Sequence, residues 1–218
     1  MSPPALVLHG YWRSSAAYRV RIGLGLKGLA WQDRPVHLVR DGGQQHSAAH
    51  AALNPQQLVP VLEHDGRVLT QSLAILEYLD EAFPDTPALL PADPAGRARV
   101  RALAQLVACD VHPLNNLRVM QYLGRVLAAD EEARLAWTRH WMAEGFAAME
   151  ALLAAQPGRF CHGDVPGLAD CCLIPQLYNA HRFNLDLAPY PTLVRIEQAC
   201  LALPAFAAAV PEAQPDAG

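Results

Sequence analysis

Two short segments about ten residues apart have the residue types of a binding site for an extended peptide. The first is Leu58–Val61, in which Pro60 opens a predicted strand. A cis peptide bond before Pro60 would turn the backbone of Val59 outward, so that its N–H and C=O could pair with an extended peptide. The second is Gln71-Ser72, directly before a predicted helix, where a hydroxyl and backbone N–H groups suit a ligand carboxylate.

Each segment also has a plain structural interpretation. Ser72 alone is typical of an N-cap, which only satisfies backbone N–H groups of its own helix. Pro60 alone is typical of the entry to a strand. The two features together, across a predicted hairpin, favour the binding interpretation.

Hydrophobic patterns place both segments in an α/β unit of about eighty residues. We predict strands at 5–8, 30–36, 59–63 and 67–69, and helices at 15–27, 47–53 and 72–83. The Asp65-Gly66 step is a strong hairpin signal between the last two strands. The order βαβ followed by αββα predicts a mixed sheet with crossover helices.

Beyond a proline-rich segment from Pro84 to Pro94, the composition shifts to alanine and leucine, and every segment has helical periodicity. We predict helices at about 95–127, 131–155, 168–182 and 190–202. The prediction is two domains: an α/β domain at residues 1–84 and an all-helical domain at residues 94–218. The last residues, Ala213–Gly218, are polar and contain proline, so we expect them to be loosely ordered.

Charge and cysteine content narrow the classes of partner. The net charge of −4, from 17 basic and 21 acidic side chains, provides no electrostatic footprint for nucleic acid or an anionic membrane. We predict neither a membrane span nor a signal peptide, because the chain lacks the apolar stretches that they require. The five cysteines show no CxxC spacing and no HExxH motif occurs, so we expect free thiols in a reducing cytoplasm and no metal site.

Further stretches resemble the zeta class of the glutathione transferase family. The class signature, two serines and a cysteine followed by Arg-Val-Arg-Ile, stands here as Ser14-Ser15-Ala16 and then Arg19–Ile22. Other similar stretches are Gly42–Gln45, Ala52–Pro55, His112–Asn116 and Leu168–Asp170. Because the similarity extends over about residues 5–205 with the motifs in order, the chain is identified as a member of this family. The resemblance implies a thioredoxin-like N-terminal domain followed by an all-helical domain.

The resemblance also implies eight residues that contact the cofactor glutathione: Ser14, Ser15, Gln45, Val59, Gln71, Ser72, His112 and Asn116. Ser14 or Ser15 would donate a hydrogen bond to the sulfur, and so help to lower the pKa of a thiol from its free value of about 8.5. An N-cap is an equally good interpretation of Ser15. Gln71 with Ser72 would take the γ-glutamyl carboxylate. Of the others, Gln45 would contact the glycine end and Val59 the cysteinyl backbone, while His112 and Asn116 would close the cleft.

Two positions depart from the family pattern. Ala16 replaces the cysteine of the signature. We therefore do not expect thiol-transferase activity, whereas isomerisation uses the sulfur of glutathione itself. Gly167 stands where many members have Ser or Thr, so Asp170 would accept backbone N–H bonds at its helix start without a hydroxyl partner.

Three arginines indicate the class of substrate. Arg13 directly precedes the two serines, Arg118 follows Asn116 by two residues, and Arg182 ends a predicted helix. A dicarboxylate needs a cation at each end, and guanidinium groups bind carboxylates in a bidentate way. Any one of them in isolation is more often a solvated surface charge. The resemblance implies that they hold the substrate carboxylates, with Arg13 close to the reaction.

The function that the resemblance implies is a glutathione-dependent cis–trans isomerase of an unsaturated dioxo dicarboxylic acid, maleylacetoacetate or maleylpyruvate, in aromatic catabolism. The alternative is a transferase that conjugates or dehalogenates small electrophiles such as α-haloacids at the same site. A non-enzymatic binding module is disfavoured by the intact Ser14, Gln71 and Ser72. A homodimer in the cytoplasm is also implied.

Overall fold

Four strands pair into a mixed sheet in the computed structural model, which describes residues 6–217 of the chain. The strands are β1 (Leu6–Gly10), β2 (Trp31–Pro35), β3 (Val61–His64) and β4 (Arg67–Thr70). Their order is β2-β1-β3-β4, with β1 parallel to β2 and antiparallel to β3. The accompanying helices are α1 (Ser15–Leu26), α2 (Ala48–Leu53) and α3 (Ser72–Ala82). The predicted βαβ-αββα order is confirmed; Ala5, predicted to begin the first strand, lies outside the described residues.

The core of this unit is formed by residues from the sheet, α1 and α3. Its buried members, each at most 3% exposed, are Leu6, Leu8, Val20, Leu24, Leu62, Ile75 and Leu79. Full burial of a side chain of this size contributes about 1.5–3 kcal/mol. The N-terminal ends of α1 and α3, where the predicted ligand-binding serines lie, therefore belong to helices that are anchored in the core.

The stop after α1 and the turn between β3 and β4 lie at the glycines where the sequence predicts them. Gly28, with φ of 65°, lies just beyond the end of α1. Asp65 and Gly66, with φ of 50° and 73°, connect β3 to β4. Two successive positive φ angles are typical of the type I′ hairpin turn, which the Asp-Gly step predicts.

The helical unit contains α4 (Pro94–Gln105), α5 (Leu117–Arg125), α6 (Glu131–Ala154), α7 (Leu168–Arg182) and α8 (Pro191–Leu201). The prediction of one helix over 95–127 is wrong. A π-helical segment at Leu106–Val111 follows α4, and a 3₁₀ turn at His112–Asn115 follows that. Pro113 has no N–H for a continuing helix, and Asn116 adopts an extended conformation (φ −67°, ψ 147°) before α5. Leu106–Val111 contains no proline or glycine, so nothing in the sequence marks the π segment.

A buried aspartate organises the start of α7. The N–H groups of Gly167 and Cys161 donate to Oδ2 and Oδ1 of Asp170 at 2.8 and 2.9 Å. Asp170 is 1% exposed, and this burial raises the pKa of its carboxyl, against the opposing effect of the two donors. Asp170 therefore has the structural role that the sequence indicates. The five cysteines are all described and are free thiols, as predicted.

After α8 the chain returns to the sheet-containing unit. A short helix, α9 (Pro204–Ala207), lies so close to α1 that a Cβ atom on Gly25 would be 3.2 Å from that of Ala205. Further on, Nε2 of Gln214 donates to the carbonyl oxygens of Ala208 and Val210 at 3.0 and 2.8 Å. The expectation of a loosely ordered C-terminus is therefore wrong for the described residues 213–217; Gly218 lies outside them.

The two compact units are thus the described residues up to Leu89 with those from Ala202 onward, and Leu90–Leu201. The sequence placed the C-terminal segment with the helical domain because the alanine-rich composition continues through it. None of the described helices is both long and apolar enough to cross a membrane.

Candidate functional site

The two adjacent serines occupy different positions at the start of α1. Ser14 is the N-cap, and its Oγ accepts a hydrogen bond from the N–H of Ala17 at 3.3 Å. Ser15 is the first helical residue and is 8% exposed. The N-cap interpretation therefore belongs to Ser14 rather than Ser15. Because an accepting hydroxyl keeps its own hydrogen, Ser14 can also donate to an anion at the positive end of α1.

Arg13 lies in the loop between β1 and α1, directly before these serines. Its guanidinium lies over the indole ring of Trp12, 4.9 Å from the ring centroid. Stacking of this kind leaves the N–H groups at the guanidinium edge able to bind a carboxylate. The side chain is half-buried, so it is not a fully solvated surface charge.

The peptide bond between Val59 and Pro60 is cis, the conformation that the binding interpretation of this segment requires. Val59 is 9% exposed and packs in a small apolar cluster with Tyr11 and Val36. The cluster brings this segment next to the loop that carries the serines, because Tyr11 belongs to that loop. The preceding carbonyl, that of Leu58, accepts hydrogen bonds from the side chains of His50 and Asn54 at 3.0 and 2.9 Å. Apolar packing at Val59 and two hydrogen bonds at Leu58 therefore fix the backbone of this segment.

Gln45 is 8% exposed, and the atoms of its side-chain amide form only part of the hydrogen bonds that they could form. Its Nε2 donates to the carbonyl oxygen of Leu38 at 3.4 Å and lies 3.0 Å from Nε2 of His46. Its Oε1 has no hydrogen-bond partner among the described residues. A buried amide oxygen without a partner is unfavourable, so this atom is suited to a ligand N–H group.

Gln71 has a backbone conformation that non-glycine residues rarely adopt, with φ of 67° and ψ of 114°. Residues held in such regions cost on the order of 1–3 kcal/mol and are concentrated at binding sites. The Gln71 side chain donates from Nε2 to Oε1 of Gln56 at 2.8 Å. Its backbone occupies the N-cap position of α3, with no side-chain capping bond.

Ser72 is consequently the first residue of α3, and its interpretation as an N-cap is wrong. Its Oγ accepts a hydrogen bond from Nη1 of Arg19 at 3.2 Å. Arg19 is 2% exposed and Ser72 6% exposed. A hydroxyl that accepts from a guanidinium directs its own hydrogen elsewhere, and a ligand carboxylate at this helix N-terminus is a suitable acceptor.

The remaining predicted residues belong to the helical unit. His112 begins the 3₁₀ turn, and Asn116 is the N-cap of α5, its Oδ1 accepting from the N–H of Arg118 at 3.2 Å. The Arg118 side chain is exposed. Arg182 is also exposed, with its guanidinium 4.8 Å from the ring centroid of Phe183. Contact of any of these four with a ligand stays a prediction.

Sequence reasoning missed three residues that support the site: Arg19, Arg21 and Gln56. The signal for the first two was present, since both are charged residues in a helix whose neighbouring residues are apolar. Their burial, 2% and 3% exposed, shows that they point into the unit. No signal in the sequence indicates Gln56. Among the described residues there is no group of three His, Cys, Asp or Glu side chains that could hold a metal ion.

Comparison with known proteins gives these features a context. The model of the glutathione S-transferase N-terminal domain matches residues 8–87, and that of the C-terminal domain matches residues 126–208. The chain belongs to the glutathione S-transferase family. A probable maleylacetoacetate isomerase of Vibrio cholerae is 52% identical over 213 residues, covering 98% of this chain and 99% of the relative.

Two solved structures of the family are especially similar. The holo structure of a maleylpyruvate isomerase, a bacterial glutathione transferase of the zeta class, has a TM-score of 0.94 at 50% identity and covers 97% of this chain and all of that one. A maleylacetoacetate isomerase from Anaeromyxobacter dehalogenans, with bound dicarboxyethyl glutathione and citrate, has a TM-score of 0.88 at 51% identity, with complete coverage of both chains. These comparisons confirm the predicted family, fold, cofactor and class of enzyme.

The residues of the sheet-containing unit suit the chemistry of glutathione. Its γ-glutamyl carboxylate suits the buried hydroxyl of Ser72 at the N-terminus of α3. Its thiol suits the N-terminus of α1 beside Ser14 and Ser15. Its amide groups suit the backbone of Val59 and the unpartnered Oε1 of Gln45. Binding of glutathione by these residues stays a prediction.

Proposed function

We propose that this transferase converts maleylacetoacetate or maleylpyruvate to the trans, fumaryl isomer. The observation that carries the proposal is the arrangement around α1. Its N-terminus presents Ser14 and Ser15, its preceding loop carries Arg13, and its buried Arg19 supports Ser72. These features support a thiolate site at the start of α1, with the cation Arg13 next to Ser14 in the sequence. They also support a second anion site at the start of α3.

Six residues of the sheet-containing unit would bind glutathione in this proposal: Ser14, Ser15, Gln45, Val59, Gln71 and Ser72. When bound, glutathione supplies a sulfur nucleophile for a conjugated double bond. The positive end of α1 and the hydroxyl of Ser14 or Ser15 favour the thiolate over the thiol, and so lower the thiol pKa. Ser72 and the N–H groups at the start of α3 hold the γ-glutamyl carboxylate. His112 and Asn116 are proposed to contribute from the helical unit.

Arg13, Arg118 and Arg182 would bind the substrate carboxylates. Each guanidinium can form two parallel hydrogen bonds with a carboxylate, which fixes both the position and the orientation of that end of the substrate. Negative charge would develop on the dioxo group as the adjacent carbon–carbon double bond of the substrate loses its double-bond character. A guanidinium in a fixed position stabilises that charge. Glutathione, when bound, would add its sulfur to the double bond and leave again after rotation about the central bond, so that the double bond re-forms in the trans geometry and the cofactor is unchanged overall.

One pair of variants tests the substrate assignment against the alternative of conjugating neutral electrophiles. Arg118→Ala should lower kcat/KM for isomerisation about 10²-fold or more, since removal of a charge-stabilising donor typically costs that much. Arg125→Ala, an exposed arginine on the same helix, is the matched control. Conjugation of a neutral electrophile should be unaffected in both variants. Equal losses in the two variants, or unchanged maleylpyruvate and maleylacetoacetate in the presence of glutathione, would refute the proposal.

We also infer that the transferase is a cytoplasmic homodimer. Free thiols at five cysteines suit a reducing compartment, and the family resemblance supports a dimer. Light scattering coupled to size-exclusion chromatography tests the second point. A mass near 23.7 kDa, that of one chain, would contradict it.

A further inference from the structure

The backbone of Trp12 is held through both of its polar groups. Its N–H donates to Oδ2 of Asp216 at 3.0 Å, and its carbonyl oxygen accepts from Nη2 of Arg21 at 2.8 Å. Nε of Arg21 donates in turn to the carbonyl oxygen of Ala209 at 3.2 Å. Arg21 and Asp216 therefore tie the loop before α1 to the C-terminal segment of the chain.

Arg21 is buried, in a position where a charge is unfavourable. It is 3% exposed, and desolvation lowers the pKa of its guanidinium to about 10, although the nearby Asp33, Tyr18 and Asp216 favour the charged form. A buried guanidinium is tolerated where its donors have acceptors, and here two of them meet backbone carbonyls. This arrangement is typical of a side chain that fixes backbone positions.

What Arg21 and Asp216 fix is the turn that leads into the two serines. The N–H of Ser14 donates to the carbonyl oxygen of Tyr11 at 2.9 Å, so Trp12 lies within the turn that ends at the N-cap of α1. The guanidinium of Arg13 also stacks on the indole ring of Trp12. A displacement of Trp12 would therefore move both Arg13 and Ser14.

We propose that Arg21 and Asp216 are positioning residues for the thiolate-binding loop, and that the C-terminal segment is thereby part of the support of the glutathione site. The proposal rests on the proposed role of Ser14 and Ser15 at the sulfur. Asp216 acts by fixing the N–H of Trp12, and Arg21 by fixing its carbonyl. Neither needs to touch the reacting atoms, because a misplacement of about 1 Å in a supporting group is enough to slow catalysis.

The test compares Asp216→Ala with Asp164→Ala, both in full-length protein. Asp164 is the matched control, because its Oδ1 accepts from the N–H of Arg159 at 3.0 Å in an exposed loop of the helical unit. In the ligand-free protein, hydrogen exchange at Trp12–Ser15 should become about tenfold faster in Asp216→Ala and stay unchanged in Asp164→Ala. Asp216→Asn retains an acceptor oxygen and should restore most of the protection. Arg21→Lys keeps the charge but not the fork of two donors, and should resemble Asp216→Ala.

A second measurement follows the thiolate of bound glutathione by its ultraviolet absorbance over a pH titration. In Asp216→Ala the pKa of the bound thiol should rise by about one unit towards its free value. The loss of kcat/KM, about tenfold at neutral pH, should then shrink as the pH is raised, whereas a loss of folded protein would not be recovered in this way.

The two measurements separate the two hypotheses. If the unaltered transferase does not lower the pKa of bound glutathione, the role assigned to the serines is wrong. If it does, but Asp216→Ala changes neither the exchange of the loop nor the thiol pKa, the positioning role is wrong.

Discussion

Arg19 extends from α1 to the first residue of α3, where its Nη1 lies 3.2 Å from Oγ of Ser72. Both residues are almost fully buried, so this contact holds a hydroxyl and a positive charge close to the N-terminus of α3. A hydroxyl, a guanidinium and a helix N-terminus each favour a bound anion. The relationship explains how a serine that does not cap its helix is still held in place.

Replacing this guanidinium should weaken glutathione binding. In Arg19→Met the hydroxyl of Ser72 loses its donor and the carboxylate site loses a buried charge, so we expect the Kd for glutathione to rise about tenfold. Isothermal titration calorimetry measures it. Arg34→Met is the control, because it removes the same charge from an exposed position on β2. An equal loss of affinity in both variants would show that only net charge matters.

Removing the hydroxyl of Ser14 should have two separable effects. Loss of the N-cap of α1 lowers the free energy of unfolding by about 1 kcal/mol, and loss of the donor raises the pKa of bound glutathione. Urea denaturation and thiolate absorbance measure the two. Ser47→Ala is the matched control, since Ser47 caps α2 through the N–H of His50 at 3.3 Å, the same distance as at Ser14. It should reproduce the first effect only; a thiol pKa that is unchanged in Ser14→Ala but raised in Ser15→Ala would assign the role to Ser15.

Two adjacent glycines allow a test of Gln45. Gly42 and Gly43 both have positive φ angles, 80° and 104°, so alanine is strained at either position. A Cβ atom on Gly43 would lie 2.6 Å from Nε2 of Gln45, whereas one on Gly42 would have no neighbour within 4 Å. Gly43→Ala should therefore raise the Kd for glutathione severalfold by displacing Gln45, while Gly42→Ala lowers stability alone. Equal affinities for the two variants would argue against a role for Gln45.

The single lysine of the chain, Lys27, should be important for stability. Its Nζ donates to Oδ1 of Asp80 and to the carbonyl oxygen of Pro87, both at 3.1 Å, and its side chain is fully buried. Among residues 6–217, Lys27→Met leaves the Asp80 carboxylate with the N–H of Leu89 as its one remaining donor, so the free energy of unfolding should fall by about 3–5 kcal/mol. Denaturant titration measures this loss. Adding Asp80→Asn to Lys27→Met should recover part of it, and a loss below about 1 kcal/mol in the single variant would contradict the prediction.

Local chemistry determined much of this protein from the sequence alone. The Asp65-Gly66 turn and the stop after α1 depend on backbone preferences of one or two residues, and the order of strands and helices depends on hydrophobic period. The candidate site residues Val59-Pro60 and Gln71-Ser72 are short motifs at element boundaries, and Ser14-Ser15 was assigned from the family resemblance. Their roles in binding stay predictions.

Tertiary structure decided which groups support that site. The contacts of Arg19 with Ser72 and of Asp216 with Trp12 join residues 53 and 204 positions apart, and no local pattern links them. The π turn at Leu106–Val111 was hidden because no proline or glycine marks the departure from α-helical hydrogen bonding. Composition also placed the C-terminal segment in the helical domain, whereas its hydrogen bonds place it against α1 and the loop that precedes it. Packing and burial, which depend on the whole fold, settled each of these points.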